Sequence, residues 1–93
     1  MYYKFEWDSR KAKINLNKHG VSFEEASTVF DDELSVTFPD VDHSTDEFRE
    51  ITIGYSVKGR LLLVFFVVRD NIIRIFSARL STKKEKDSYE KES

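Results

Sequence analysis

Residues 49–80 read REITIGYSVKGRLLLVFFVVRDNIIRIFSARL. Three runs rich in Ile, Val, Leu and Phe are separated by two short breaks, Lys58-Gly59 and Asp70-Asn71. β-Branched and aromatic residues in runs of this length form strands, and two-residue breaks containing Gly or Asn close hairpins. The stretch therefore predicts three successive antiparallel strands: Arg49 to Val57, Arg60 to Arg69, and Ile72 to Leu80. With two-residue loops, Val57 faces Arg60 and Arg69 faces Ile72. This register predicts one apolar face of Ile51, Ile53, Tyr55, Leu62, Val64, Phe66, Val68, Ile73 and Ile75, suited to packing under helices. The opposite face carries Thr52, Ser56, Leu61, Leu63, Phe65, Val67, Arg69, Arg74, Phe76 and Ala78, with Arg69 and Arg74 close together. A shift of one residue would exchange the two faces.

Upstream of this sheet, Tyr2 to Trp7 reads as a strand. Asp8 is a good N-cap for a helix through Lys18, and Gly20 is a typical residue to end it. On that helix Ala12, Leu16 and His19 share a face with Asn15 beside them, and His19 suits the negative end of the helix dipole. Ser22 and Glu25 have capping-box spacing, which opens a second helix ending near Phe30, with Val21 and Ala26 as its hydrophobic staple. Glu33 to Phe38 is a short strand that Pro39 ends, and residues 40–48 form a polar loop. Downstream, Thr82 and Glu85 form another capping box. The terminal helix it opens is polar, with Tyr89 its only large apolar group, a candidate for fraying or for a partner. The order predicts an α+β fold: β-α-α, then an antiparallel sheet of about four strands, then a C-terminal helix over 81–93.

Ninety-three residues give one domain, 1–93, and a chain of this size buries roughly 60–65% of its unfolded surface. A hydrophobic fraction of 40%, with eight Phe, four Tyr and one Trp, supplies that core. There is no Cys, which excludes disulfides and thiolate chemistry. His19, His43 and carboxylates are a poor zinc set, so no metal or cofactor is expected. The N-terminus lacks the apolar segment of a signal peptide. The longest apolar run, Leu61 to Val68, is too short to span a bilayer, so a soluble, cytoplasmic protein with no membrane partner is expected. The net charge of −2 is unevenly distributed. Residues 10–21 carry Arg10, Lys11, Lys13 and Lys18 without an acid; residues 22–50 carry ten acids against Arg49. Residues 51–81 carry Lys58, Arg60, Arg69, Arg74 and Arg79 against Asp70. Such segregation permits a basic and an acidic face, or simply solvated surfaces.

Arginine is the conspicuous functional type, because Arg49, Arg60, Arg69, Arg74 and Arg79 all lie on sheet strands or at their ends. A guanidinium stays charged and forks onto phosphate oxygens, so several together would hold RNA and stabilise charge growing in a transition state. Alternatively, each solvates the sheet rim and pairs with Glu47 or Glu50. His43 can exchange a proton near neutral pH, as cleavage by 2′-hydroxyl attack requires, or can merely hydrogen-bond beside Asp42. Glu47 is either a general base or a residue orienting Arg49. No Gly-rich phosphate loop, HExxH, GxSxG or RRM-type aromatic motif is present.

Several phrases resemble the BrnT family of type II toxins. They include Phe5-Glu6-Trp7-Asp8, Lys11-Ala12, Asn15, Lys18-His19-Gly20-Val21-Ser22-Phe23-Glu24-Glu25-Ala26 and Val29-Phe30. Further on come His43-Ser44, Glu47 with Arg49, Ile53-Gly54, Gly59-Arg60-Leu61-Leu62, Arg74-Ile75 and Ser77-Ala78-Arg79. The departures are Glu33 after Asp32, where many members have Pro, and Phe76 in place of an aliphatic residue. The resemblance implies a RelE-like ribonuclease fold and metal-independent endonucleolytic cleavage of cellular RNA that arrests growth. It also implies neutralisation by a BrnA-type antitoxin, a dimeric DNA-binding protein. Two toxins and the antitoxin would form a heterotetramer that touches operator DNA only through the antitoxin. The site residues it implies are Arg74, Arg79, Arg49, Glu47 and His43 for catalysis, with Arg69, Lys11, Arg60 and Tyr89 as RNA contacts. The rival reading is a non-catalytic adaptor or regulator that binds protein or RNA through the same basic face.

Overall fold

The central strand explains the architecture. Leu61–Arg69 (β4) is apolar on both sides, so both faces of its sheet must be covered. In the computed structural model, which describes residues 3–44 and 46–92 (Glu92 by backbone alone), β4 sits in the middle of a five-stranded sheet. The strands before it are Lys4–Glu6 (β1), Val36–Pro39 (β2) and Arg49–Tyr55 (β3), and Ile72–Leu80 (β5) follows. Their order is β1-β5-β4-β3-β2, antiparallel throughout except for β1, which runs parallel to β5. The helices are Ser9–His19 (α1), Phe23–Ser27 (α2), extended by a 3-10 turn Thr28–Asp31, and Lys83–Glu92 (α3). This is the expected α+β order.

The helix ends follow the expected capping chemistry in part. Asp8 Oδ1 accepts the N–H groups of Arg10 and Lys11 at 2.8 and 3.3 Å, and Gly20 closes α1 in the left-handed conformation at φ 69°. Thr82 and Glu85 form a complete capping box, each side chain accepting the other's N–H at 3.1 and 2.8 Å. At α2 only half forms: Ser22 Oγ accepts from Glu25 N–H. The Glu25 carboxylate turns instead to Arg60 and Ser56. The early strand over Glu33 to Phe38 is shorter than expected, because Asp32 accepts Leu34 N–H and Ser35 N–H in a turn. Pro39 ends that strand as its last paired residue, opposite Glu50.

The first hairpin corrects the expected register. Its loop holds three residues, Val57-Lys58-Gly59, between Ser56 and Arg60, with Ser56 N–H donating to Arg60 O at 2.9 Å. Gly59 takes φ 75°, the left-handed position that ends a three-residue hairpin loop. Tyr55 therefore pairs with Leu61, not Leu62, and β3 slides by one residue against β4. Ile51, Ile53 and Tyr55 move to the face of Leu61, Leu63 and Phe65. Thr52 and Gly54 take their places opposite Val64 and Leu62. Gly54 is needed there, since a Cβ would lie 2.8 Å from Ser35 Cβ and 3.0 Å from Val29 Cγ1. The second hairpin is as expected: Arg69 faces Ile72 across Asp70-Asn71, both at positive φ (52° and 65°), as a type I′ turn demands. Farther along, a bulge intervenes. Phe66 pairs with Ile75 and Phe65 with Ser77, so Phe76 is the extra residue. Ala78 is thereby turned back into the helix-covered core, contrary to the expected face, and Val68 is half exposed at the sheet end.

Two cores result, one on each face. Val21, Phe23, Ala26, Val29, Leu62, Val64, Phe66, Ile73, Ile75 and Ala78 fill the space under α1 and α2. Ile51, Ile53, Leu61, Leu63 and Tyr89 form the smaller one, under α3. The terminal helix is thus anchored through its single large apolar residue, and Tyr89 Oη also donates to Leu34 O at 2.8 Å.

Asn15 is the polar bolt of the larger core. Its Nδ2 donates to Val21 O and Ala78 O at 2.9 and 2.8 Å, and its Oδ1 accepts Ala78 N–H at 3.1 Å. Asn15→Ala strands buried backbone groups on two elements and is expected to cost about 2–3 kcal/mol. Urea denaturation measures this directly; an unchanged midpoint would show that water or rearrangement replaces the bolt.

Candidate functional site

The strand register places the candidate side chains. Arg49 on β3 lies opposite Val67 on β4, Val67 opposite Arg74 on β5, and Arg74 opposite Glu6 on β1. Partners in register share a face, so these four form one row across the sheet. It is the face of Ile51, Leu63 and Phe65, and α3 covers it only around Tyr89, leaving the row open. Arg69 and Glu47, each two residues along from a member of the row, join it on that side.

The environments of the arginines differ. The Arg49 guanidinium stacks 4.3 Å from the Phe76 ring centroid, on the residue that the bulge inserts. Among the described residues it forms no ion pair. Arg74 Nη1 pairs with Glu6 at 2.8 Å, and Arg69 Nε with Glu47 at 2.7 Å, both exposed. Exposed pairs of this kind are worth about 0–1 kcal/mol, little enough for a phosphate to displace the carboxylate. Glu47 therefore sits against Arg69 and not Arg49, contrary to the orienting role the sequence suggested.

Arg79 lies apart. It stands five residues beyond Arg74 on β5, roughly 15 Å along the strand, and is held by Glu85 in two bonds of 2.8 and 2.9 Å. Arg60 lies at the hairpin and is committed to structure. It grips the buried Glu25 carboxylate with Nε (2.9 Å) and Nη2, and Nη2 also donates to Gly20 O at 3.0 Å. The Arg60 guanidinium holds Glu25 below the usual carboxyl range despite the burial. Tyr89 is buried in the core under α3, and burial, then the charge of Asp32, raises its phenol above the ordinary value. Lys11 is exposed on α1, across the sheet from the arginine row. The structure thus brings Arg49, Arg69, Arg74 and Glu47 together, with Arg79 on the same face beside Phe65, and leaves Arg60, Tyr89 and Lys11 elsewhere.

His43 stands at the near edge of the row. Its neighbour Ser44 donates to Asp40 O at 2.8 Å and accepts Arg49 N–H at 3.0 Å, which ties the loop to β3. The partner of His43 is Asp40, whose two carboxylate oxygens both lie 3.1 Å from Nδ1, and not its neighbour Asp42. Sequence reading missed Asp40, because its burial depends on the β2–β3 pairing that carries Asp40 N–H to Arg49 O. It also missed Glu6 and the platform role of Phe76, which depend on the parallel β1 pairing and on the bulge.

The arrangement defines a class: a small α+β domain with a half-covered sheet face that offers clustered guanidinium groups over an aromatic ring. A family model described as the ribonuclease toxin BrnT of type II toxin-antitoxin systems matches residues 7–85, and the chain belongs to that family. The crystal structure of the Brucella abortus ribonuclease toxin BrnT shares the fold, with a TM-score of 0.69 at 21% identity over 88% of this chain and 100% of that one. A comparison with curated proteins finds no match.

The ion pair of Arg79 has a measurable acid signature. Arg79, followed by the Thr82 N–H, holds the Glu85 carboxyl at about 2 against 4.5 for the free group, with burial opposing them. A carboxyl depressed on folding stabilises the fold fully above its unfolded value, and this is lost as pH falls from about 4.5 toward 2. Glu85→Gln is therefore expected to lower Tm at neutral pH and to flatten its decline between those pH values. Thermal melts across that range check it; a parallel offset at every pH would contradict the assignment.

Proposed function

We propose that this chain is a metal-independent endoribonuclease that cleaves cellular RNA and arrests growth in the cytoplasm, and that an antitoxin partner holds it inactive. The observation that carries the reading is the row Arg49–Val67–Arg74 on the open half of the sheet, with Arg49 stacked on Phe76. Neighbouring strands lie about 4.8 Å apart, so the two guanidinium groups start from backbones roughly 10 Å apart. Flexible side chains of that length can converge on one phosphodiester. They would neutralise the substrate and then stabilise the additional charge of a pentacoordinate phosphorus. The planar Arg49 guanidinium lying over Phe76 offers a stacking surface to a base, which suits a single strand better than a duplex.

An open face fits a polymer better than a deep pocket does, because the chain can lie across the strands. Arg69 is within the same surface and extends the phosphate track, its Glu47 partner giving way or serving as a second proton acceptor. Arg79, on the same face beside Phe65 and held by Glu85, would contact the next stretch of the RNA. Arg60, tied to Glu25, and Tyr89, closed in the core, drop out of the proposed RNA surface. The partner we expect is a BrnA-type antitoxin, a DNA-binding dimer carrying two toxins and repressing its own operon. Family membership supports this partner, and the open apolar and basic half-face gives it something to cover.

Arg49→Ala and Arg74→Ala are each expected to reduce RNA cleavage about 100-fold or more, and the double variant to abolish growth arrest. Circular dichroism should be unchanged, since neither side chain is buried. Induced expression with total-RNA integrity, and cleavage of a short RNA in vitro with a chelator present, provide the test. Arrest that persists in the folded double variant would show that the arginine row is not the site. A folded wild type that harms no host and cuts no RNA would favour a non-catalytic binding module.

A further inference from the structure

Asp40 is a carboxylate in an unusual position. Only 4% of its surface is exposed, while the His43 side chain is 63% exposed. Both Asp40 oxygens reach His43 Nδ1 at 3.1 Å, and among the described residues the carboxylate has no other hydrogen-bond partner. Burying a carboxylate is costly, and one largely solvated imidazole is poor structural compensation. The turn does not need it. Ser44 Oγ already bridges Asp40 O and the Arg49 backbone, and His43 N–H closes on Asp40 O at 3.3 Å. What the carboxylate does that these bonds cannot is fix the imidazole.

We infer that Asp40 and His43 form a proton-accepting pair for the cleavage step, Asp40 as positioning residue and His43 as the catalytic base. This rests on the nuclease reading above and names the group that reading leaves open. A neutral histidine with its proton on Nδ1 donates to the carboxylate, which fixes the tautomer and leaves Nε2 as the acceptor. With Nδ1 turned to a buried partner and most of the ring in solvent, Nε2 is the edge presented to substrate. The carboxylate also stabilises the imidazolium that forms, as in other carboxylate–histidine pairs.

The step balances without a co-reactant beyond water. Nε2 takes the proton of a ribose 2′-hydroxyl, and the 2′-oxygen forms a bond to the adjacent phosphorus. The bond from phosphorus to the 5′-oxygen breaks, and that oxygen takes a proton from water. The hydroxide left behind recovers the proton from the imidazolium. The products are a 2′,3′-cyclic phosphate and a 5′-hydroxyl end. Arg49, linked to the His43 turn through Ser44, would hold the phosphate whose neighbour is deprotonated. The charged groups around His43 are Asp40 at Nδ1, Asp42 and Asp46 on its own loop, Arg49 on β3, and Glu47 with Arg69 at the end of β4.

The test is the pH profile of single-turnover cleavage of a short RNA by wild type, Asp40→Asn and His43→Gln. Wild-type rates are expected to rise with pH and to level off, as a single catalytic base requires. His43→Gln should lose about 100- to 10,000-fold and lack that rise. Asp40→Asn should lose about 10- to 100-fold and move the midpoint, because the carboxylate facing Nδ1 is gone. A merely structural Asp40 would lower the rate and leave the midpoint alone. His43 is exposed, so its variant folds even if Asp40→Asn does not. His43→Ala restored by added imidazole would support the pair independently. Full activity in His43→Gln, or an unmoved midpoint in folded Asp40→Asn, overturns the inference while the nuclease reading stands. A wild type that cleaves no RNA overturns both.

Discussion

The structure depends on one constraint: β4 presents apolar side chains on both faces, and both must be taken out of water. Burial of each Leu, Val or Phe contributes about 1.5–3 kcal/mol, so leaving a face bare would remove much of the stability of a domain this small. One face is covered by α1 and α2, with ten buried residues packed beneath them. The other has only α3, which brings Tyr89 as its large apolar contribution. Coverage on that side is incomplete, and what remains is shielded by Arg49 lying over Phe76 and Arg79 over Phe65. The open half-face is thus a direct outcome of how few apolar residues the last helix carries.

That asymmetry sorts five arginines that look alike in sequence. Arg60 faces a Glu25 carboxylate that is almost fully buried, where losing one partner typically costs about 3–5 kcal/mol. Such a pair is fixed. Arg69 and Arg74 meet carboxylates at the surface, where release costs little. Arg49 meets an aromatic ring. Arg79 is intermediate, bound twice to a residue that also caps α3, so moving it would disturb the helix start. Available positive charge therefore concentrates on the row from Arg49 to Arg74.

Much of this was legible from local chemistry. The caps at Asp8, Ser22 and Thr82, the Asp70-Asn71 turn and the element order all follow from residue types within a few positions of one another. The failures share a cause, which is dependence on distant partners. Lys58-Gly59 looks like a two-residue turn, yet Ser56 Oγ accepts Lys58 N–H and donates to Glu25, and this favours a longer loop and slides β3 by one residue. The bulge at Phe76 leaves no mark in the apolar pattern, because Phe is acceptable on either face. Glu6 reaches Arg74 only through the parallel pairing of β1 with β5, strands far apart in sequence. Asp40 looked like one more acid in a polar loop until its pairing with β3 buried it. That five arginines lie on the sheet strands or at their ends was readable; which of them are held by carboxylates, and how firmly, was not.

The central claim is that RNA lies on the open half-face and not on the basic helix α1. Backbone and arginine side-chain NMR shifts, followed while titrating a short single-stranded RNA with 2′-O-methyl riboses that cannot be cut, test it most directly. The account predicts that changes concentrate on His43, Arg49, Val67, Arg69, Arg74 and Phe76, and weaken with added salt. Changes centred on Lys11, Lys13 and Lys18, with the arginine row unmoved, would contradict it.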